Sequence, residues 1–147
     1  MYEKKLLAGW GDMDFNAHMR NTAYLDKSAD VRMLFFSEHG FPMREFLRMR
    51  VGPVVLKDEV EYFREVHLLD DLTITLALAG LAENGSRWLM QNEFFRPDGK
   101  AAARVTSTGG WLDLSARQLV AAPARLLETL QELPKTGDFR ALSSSVT

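Results

Sequence analysis

The sequence predicts an α+β domain built on a mainly antiparallel sheet, and three observations carry that expectation. From about Thr22 to Glu38 the apolar residues recur at helical spacing. From Val51 onward the period drops to two. The strand-like stretches then follow one another through tight turns instead of alternating with helices, which is the pattern of segregated α and β elements.

Each element has its own justification. Lys4 to Trp10 reads as a first strand, closed by the polar turn Gly11 to Asn16. The long helix from Thr22 is stopped by Gly40 and Pro42. Its inner stripe reads as Leu25, Ala29, Met33 and Phe36, widened by Tyr24, Val31, Leu34 and Phe35, so the helix is expected to be buried. A short helix over Met43 to Arg48 follows. Val51 to Val66 reads as one long strand or two shorter ones, with Val60, Tyr62 and Val66 on one face. Leu72, Ile74, Leu76 and Leu78 alternate with Thr73, Thr75, Ala77 and Ala79, the signature of a half-buried strand. Asn84-Gly85 offers the positive-φ pair of a tight hairpin. Arg87 to Arg96, the turn Pro97 to Lys100, and Ala101 to Leu114 complete the meander, with a bulge expected at Gly109-Gly110. A last helix opens at Pro123 and runs to Leu133, presenting Leu126, Leu127, Leu130 and Leu133 inward. Residues 1–135 are thus expected to form one domain. Residues 136–147, rich in Ser and Thr, read as a flexible C-terminal tail.

Composition narrows the chemistry. The chain of 147 residues contains no cysteine, which removes disulfides, thiolate metal sites and cysteine nucleophiles. Eighteen Lys and Arg against twenty Asp and Glu leave a net charge of −2, unlike the basic balance of a nucleic-acid binder. No apolar run approaches the roughly 20 residues of a membrane span, and the N-terminus lacks a signal-peptide core, so a cytoplasmic domain without nucleic-acid or membrane partners is expected. There is no serine elbow, phosphate loop or dinucleotide fingerprint. His18, His39 and His67 lack the paired spacing of a zinc helix, so no metal and no cofactor are expected. Asp12, Asp14 and Asn16 imitate the start of a calcium loop, but Ala17 and Ala23 stand where its glycine and bidentate acid belong.

What remains is the run Gly11-Asp12-Met13-Asp14-Phe15-Asn16-Ala17-His18-Met19-Arg20-Asn21-Thr22-Ala23-Tyr24-Leu25. One reading makes Asp14, Asn16 or Asn21 a helix cap or turn closer. The other makes the junction an acid–base site, because several useful side chains crowd it where one cap suffices. A buried helix start also presents unpaired N–H groups and a positive dipole end, suited to polarising a carbonyl.

This run resembles the hotdog-fold acyl-CoA thioesterases of the 4-hydroxybenzoyl-CoA thioesterase-like family, whose signature is similar to Asp-x-Asp-x-x-Gly-His-x-Asn-Asn-x-x-Tyr-Leu. Tyr62-Phe63-Arg64-Glu65-Val66 followed by Asp70-Asp71-Leu72-Thr73-Ile74 resembles that family's second strand, turn and third strand. The resemblance implies a hotdog fold, an antiparallel sheet wrapped around the long helix, and self-association as homodimer or homotetramer with sites at the seam. It implies hydrolysis of an acyl-CoA substrate to a carboxylic acid and free CoA. Asp14 matches the family's nucleophile or general base, and His18 and Asn21 match positions that orient it. Backbone N–H groups of Thr22, Ala23 and Tyr24 would polarise the thioester carbonyl. Two departures stand out: Ala17 replaces the glycine, and Arg20 replaces the first asparagine.

Arg20 either engages the acyl group or points to solvent. Arg64, Arg87, Arg96, Lys100 and Arg104 are candidates for CoA phosphates, each individually more in keeping with a surface charge, and Arg20 and Arg64 are taken as substrate-binding. Asp26 and Asp30 read as a solvated helix edge, and Glu59 and Glu61 as an outer strand face. Phe35, Phe36, Trp88, Phe94 and Trp111 read as core more readily than as an acyl tunnel. Two alternatives share the fold: a thioesterase acting on acyl-carrier-protein thioesters, and a non-catalytic acyl or CoA binding module.

Overall fold

Strand alternation is the strongest organiser of the molecule. In the computed structural model, which describes residues 1–146, Leu72, Ile74, Leu76 and Leu78 of β3 (Asp71–Ala82) are all fully buried. Each contributes about 1.5–3 kcal/mol by leaving water. Around β3 stand β1 (Tyr2–Leu7), β2 (Val51–Tyr62), β4 (Arg87–Phe95) and β5 (Ala101–Asp113), in the antiparallel order β1-β3-β4-β5-β2. A short β6 (Gln118–Val120) pairs with β5. Helices α1 (Asn21–Glu38), α2 (Met43–Met49) and α3 (Ala124–Gln131) stand where expected, and β6 is unexpected.

The sheet wraps around α1. Ring contacts record the enclosure: Tyr24 packs on Phe94 of β4, Phe35 on Tyr2 of β1, and Phe36 on Trp111 of β5. This is the hotdog fold. Phe35, Phe36, Trp88, Phe94 and Trp111 are all core residues. No helix among the described residues is long and apolar enough to cross a membrane.

Five local expectations require correction. The first strand ends at Leu7, opposite Asp71, and Trp10 to Asp12 instead form a 3-10 turn. The strand from Val51 stops at Tyr62, because the N–H groups of Phe63 and Arg64 both turn onto the Ala102 carbonyl. The bulge lies across from Gly109 rather than on it: Val55 opposes Gly109 and Lys57 opposes Thr108, leaving Leu56 extra on β2. Gly109 serves close approach, since a Cβ there would enter the Trp88 ring and press on the Val54 carbonyl.

The fourth concerns the C-terminus. Residues 135–142, expected as tail from 136 on, form β7 (Lys135–Leu142), parallel to β3. β1 covers β3 only as far as Leu76, so the rest of that edge would expose unpaired backbone groups. β7 takes it over, pairing Gly80 with Arg140 and Ala82 with Leu142. Asn84 and Ser86 then hold Ser144 and Ser145 by hydrogen bonds of 2.8 and 3.1 Å. Of the expected tail, Thr147 lies outside the described residues.

The buried face of α1 also differs from the stripe expected. It runs through Ala23, Tyr24, Lys27, Ser28, Val31, Arg32, Phe35 and Phe36, while Leu25, Ala29 and Met33 are only half-buried. Two cations therefore face inward, each with a partner. Lys27 Nζ reaches the Leu7 carbonyl and Asp12 Oδ2, both at 2.9 Å. Arg32 donates to Ser107 Oγ at 3.2 Å, and Ser107 donates in turn to Asp58.

Candidate active site

The segment from Gly9 to Asn21 is held mainly by its own backbone. Asp14 N–H donates to the His18 carbonyl at 2.8 Å, Met13 bridges Met19, and Arg20 N–H donates to the Asp12 carbonyl at 2.8 Å. Ala17, at the tip, has φ 65°, the left-handed region that the glycine of the resembled pattern would enter freely. Alanine adopts it at a cost of about 1–2 kcal/mol.

Asp14 is exposed, and its two carboxylate oxygens are not equivalent. Oδ1 accepts the N–H groups of Asn16 and His18 at 2.8 and 3.2 Å. Oδ2 has no donor within hydrogen-bond reach among the described residues. The cap-like role and the acid–base role are thus divided between two atoms of one side chain. Beneath the turn, Asp12 Oδ2 binds Gly9 N–H at 2.8 Å and the Lys27 ammonium. Burial acts to raise the Asp12 carboxyl, but the Lys27 hydrogen bond, the Gly9 N–H and the Lys27 and Arg20 charges together hold it below its usual range.

Asp14 opens onto a cleft of about 350 Å³ walled by the start of α1 and the end of β2, with His18, Asn21, Tyr24, Tyr62, Arg64 and Glu65 among its lining. The expected residues are distributed as follows. His18 orients Asp14 through its backbone N–H, while its ring binds Glu65 Oε2 at 3.0 Å. Asn21 lines the cleft, and its Oδ1 accepts the Thr22 N–H at 3.0 Å. The Ala23 N–H donates to the Arg20 carbonyl at 3.0 Å. Two of the three backbone donors expected to face a thioester therefore already have partners.

Arg20 neither reaches into the cleft nor points away. Its guanidinium clasps the Gly11 carbonyl and Thr22 Oγ1, bracing the turn against α1. Arg64 does line the cleft, with one N–H on the Ala101 carbonyl at 2.7 Å and its other donors uncommitted to that bond. Asp26, Asp30, Glu59 and Glu61 are exposed, as a solvated helix edge and an outer strand face require.

Sequence reasoning missed several residues. The Tyr24 side chain is buried and lines the cleft, packed edge-on against Tyr62. Burial, then the neighbouring Tyr62 and Asp14, push its phenol up to about 12, so it is a protonated donor at neutral pH. Glu65 and Tyr62 also belong here, and nothing in a period of two says which strand end meets Asp14. The histidines, scattered in sequence, are not all scattered in space. Donor atoms of His18, Glu65 and His67 lie within 4.8 Å of one another.

A sequence profile of the thioesterase-like superfamily matches residues 8–130 of the chain. No curated protein matches. Among solved structures, a 1,4-dihydroxy-2-naphthoyl-CoA thioesterase from Synechocystis superposes with a TM-score of 0.79 at 13% identity, over 90% of this chain and 96% of that one. A hypothetical protein of Staphylococcus aureus in complex with CoA gives 0.80 at 19% identity, over 92% and 87%. The probable thioesterase YbaW of Escherichia coli gives 0.72 at 22% identity, over 90% and 98%. The chain belongs to the thioesterase-like superfamily, as a thioester hydrolase of hotdog fold.

Proposed function

We propose that the chain is an acyl-CoA thioesterase in which Asp14 is the nucleophile or general base, turning an acyl-CoA and water into a carboxylic acid and free CoA. The observation that carries this reading is the divided Asp14 carboxylate: Oδ1 is held by two backbone N–H groups, and Oδ2 is left uncommitted at a cleft beside the start of α1. As a base, Oδ2 takes a proton from water while the water oxygen bonds to the thioester carbon. The tetrahedral intermediate then breaks its C–S bond, and the departing sulfur takes the proton. As a nucleophile, Oδ2 bonds the carbon itself, expels the thiolate, and the resulting anhydride is hydrolysed. General-base assistance contributes typically 10²–10⁴-fold.

The developing oxyanion needs donors. With the Thr22 and Ala23 N–H groups taken, the Tyr24 N–H, the Tyr24 phenol and the positive end of α1 are left for that task. Arg64 suits a CoA phosphate, being cationic and at the cleft wall. CoA as the carrier is supported by the relative solved with CoA and by the naphthoyl-CoA thioesterase. A homodimer or homotetramer is part of the reading. β2 is a 12-residue edge strand, and Val55, Leu56 and Tyr62 on it are 42, 50 and 53% exposed. A second copy laid along that edge would cover these groups and help dry the cleft.

The test is hydrolysis of short, long and aromatic acyl-CoAs, followed by released thiol. Asp14→Asn keeps an Oδ1 acceptor for the turn and removes the base, so turnover should fall at least about 10²-fold with the fold intact. Unchanged turnover would overturn the assignment. Label in Asp14 after a single turnover in ¹⁸O-water would establish the nucleophilic route, with water attacking the Asp14 carbonyl of the anhydride. Hydrolysis confined to carrier-protein thioesters, or binding without hydrolysis, would establish one of the alternative readings instead.

A further inference from the structure

His18 and the pair Glu65 and His67 come from loops far apart in sequence, joined at one point. Met19 N–H donates to the Val66 carbonyl at 2.8 Å, and both Met19 and Val66 are buried. Their neighbours His18, Glu65 and His67 are consequently carried side by side on the outer surface. His18 Nε2 stands 3.0 Å from Glu65 Oε2, and His67 Nε2 stands 3.7 Å from the same oxygen. The two imidazole rings meet edge-on at 5.8 Å between centroids.

These distances match a coordination shell. Ligand atoms at 2.0–2.2 Å from a tetrahedral ion lie about 3.3 Å apart, so small side-chain rotations bring all three donors onto one centre. The backbone beneath them is already fixed. His67 N–H donates to Asp70 Oδ2 at 2.9 Å, and Asp70 N–H returns to the His67 carbonyl at 3.1 Å. Asp70 Oδ2 also stands 4.0 Å from His67 Nδ1, too far for a hydrogen bond as it stands but close enough for a small ring rotation to make it the outer carboxylate of a ligating imidazole. Two imidazoles and one carboxylate suit zinc, copper, nickel or cobalt, and do not suit magnesium or calcium, which take oxygen ligands.

We propose that His18, Glu65 and His67 bind one divalent transition-metal ion of the zinc class at the rim of the Asp14 cleft, with the remaining position open to water. The side chains of Glu65 and His67 are 60 and 57% exposed, which gives the ion a direct path from solvent. The site does not depend on the thioesterase reading, since no step of hydrolysis is routed through it.

Its test is a titration of the full chain, free of any histidine tag, with zinc chloride against a chromophoric chelator. One equivalent of zinc per chain is expected, undisturbed by millimolar magnesium. His67→Ala and Glu65→Gln should each weaken binding at least about tenfold, while His39→Ala should leave it unchanged. Imidazole proton resonances guard against a variant that misfolds: in the unmodified chain those of His18 and His67 should shift on adding zinc, and those of His39 should not. Absence of stoichiometric binding would overturn the proposal. So would binding that survives both substitutions, or zinc that leaves the His18 and His67 resonances in place.

Discussion

The two ends of α1 are built by opposite means. At its C-terminal end Phe35 and Phe36 enter an aromatic cluster with Phe46, Trp88 and Trp111, ring centroids 5.6 to 6.4 Å apart. At its N-terminal end Asp12, Lys27, Arg20 and the backbone of the Asp14 turn are held by hydrogen bonds and charge. The aromatic end fills its space. The polar end is fastened at chosen atoms and leaves others, Asp14 Oδ2 foremost, free for solvent and substrate. Dispersion and burial are non-directional and close a region completely. Hydrogen bonds are directional, so a site can be rigid and open together.

Substitutions at the two ends should separate these roles. The largest effect belongs to Asp14→Asn, with turnover down by about 10²-fold or more and an unfolding midpoint close to the parent. Trp111→Ala should do the reverse: about 3–5 kcal/mol of stability lost in urea unfolding, with the molecules still folded retaining activity. An equal loss of specific activity would mean that the ends are not independent. Next comes Asp12→Asn, which keeps one acceptor oxygen for Lys27 but removes the opposing charge, and should cost about 1–2 kcal/mol at pH 7.

The pH dependence of that loss has a definite sign. The folded Asp12 carboxyl lies below its ordinary value of 3.8. Its stabilisation is therefore complete above 3.8 and fades as pH falls through the lower folded value. The gap in urea midpoint between parent and Asp12→Asn should accordingly be wide at pH 7 and narrow toward pH 3; a constant gap would remove Asp12 as its source. The smallest effect is Ala17→Gly. Relief at φ 65° exceeds the added chain entropy, for a net gain of about 0.5–1 kcal/mol in thermal or urea unfolding, with turnover unchanged.

Much of this is legible in the sequence alone. The β3 alternation, the turn at Asn84-Gly85 (where Gly85 alone, not the expected pair, takes a positive φ) and the stop of α1 near Gly40 all depend on chemistry within a few residues of themselves. The Asp14 turn was legible for the same reason, since its bonds run between Asp14, Asn16 and His18. Glu65 and the Tyr24 phenol were not, because what makes them part of the cleft is the meeting of α1 with the end of β2. The bracing contact of Arg20 was not legible, as its partner Gly11 becomes available only when the turn folds back.

The sequence by itself determined the helices, the strands β1 to β5 in their order, the buried face of β3 and the carboxylate ahead of the helix start, because periods and turn chemistry are local properties. The tertiary structure alone decided which face of α1 is buried. Counting apolar residues favours Leu25, Ala29 and Met33, yet the sheet encloses the side with Lys27 and Arg32, where Leu7, Asp12 and Ser107 satisfy both cations. It also decided that residues 135–142 become a strand, because the edge of β3 beyond Leu76 lacked a partner. Partners distant in the chain set the free energy of a buried charge or an open strand edge, and only the assembled fold supplies them.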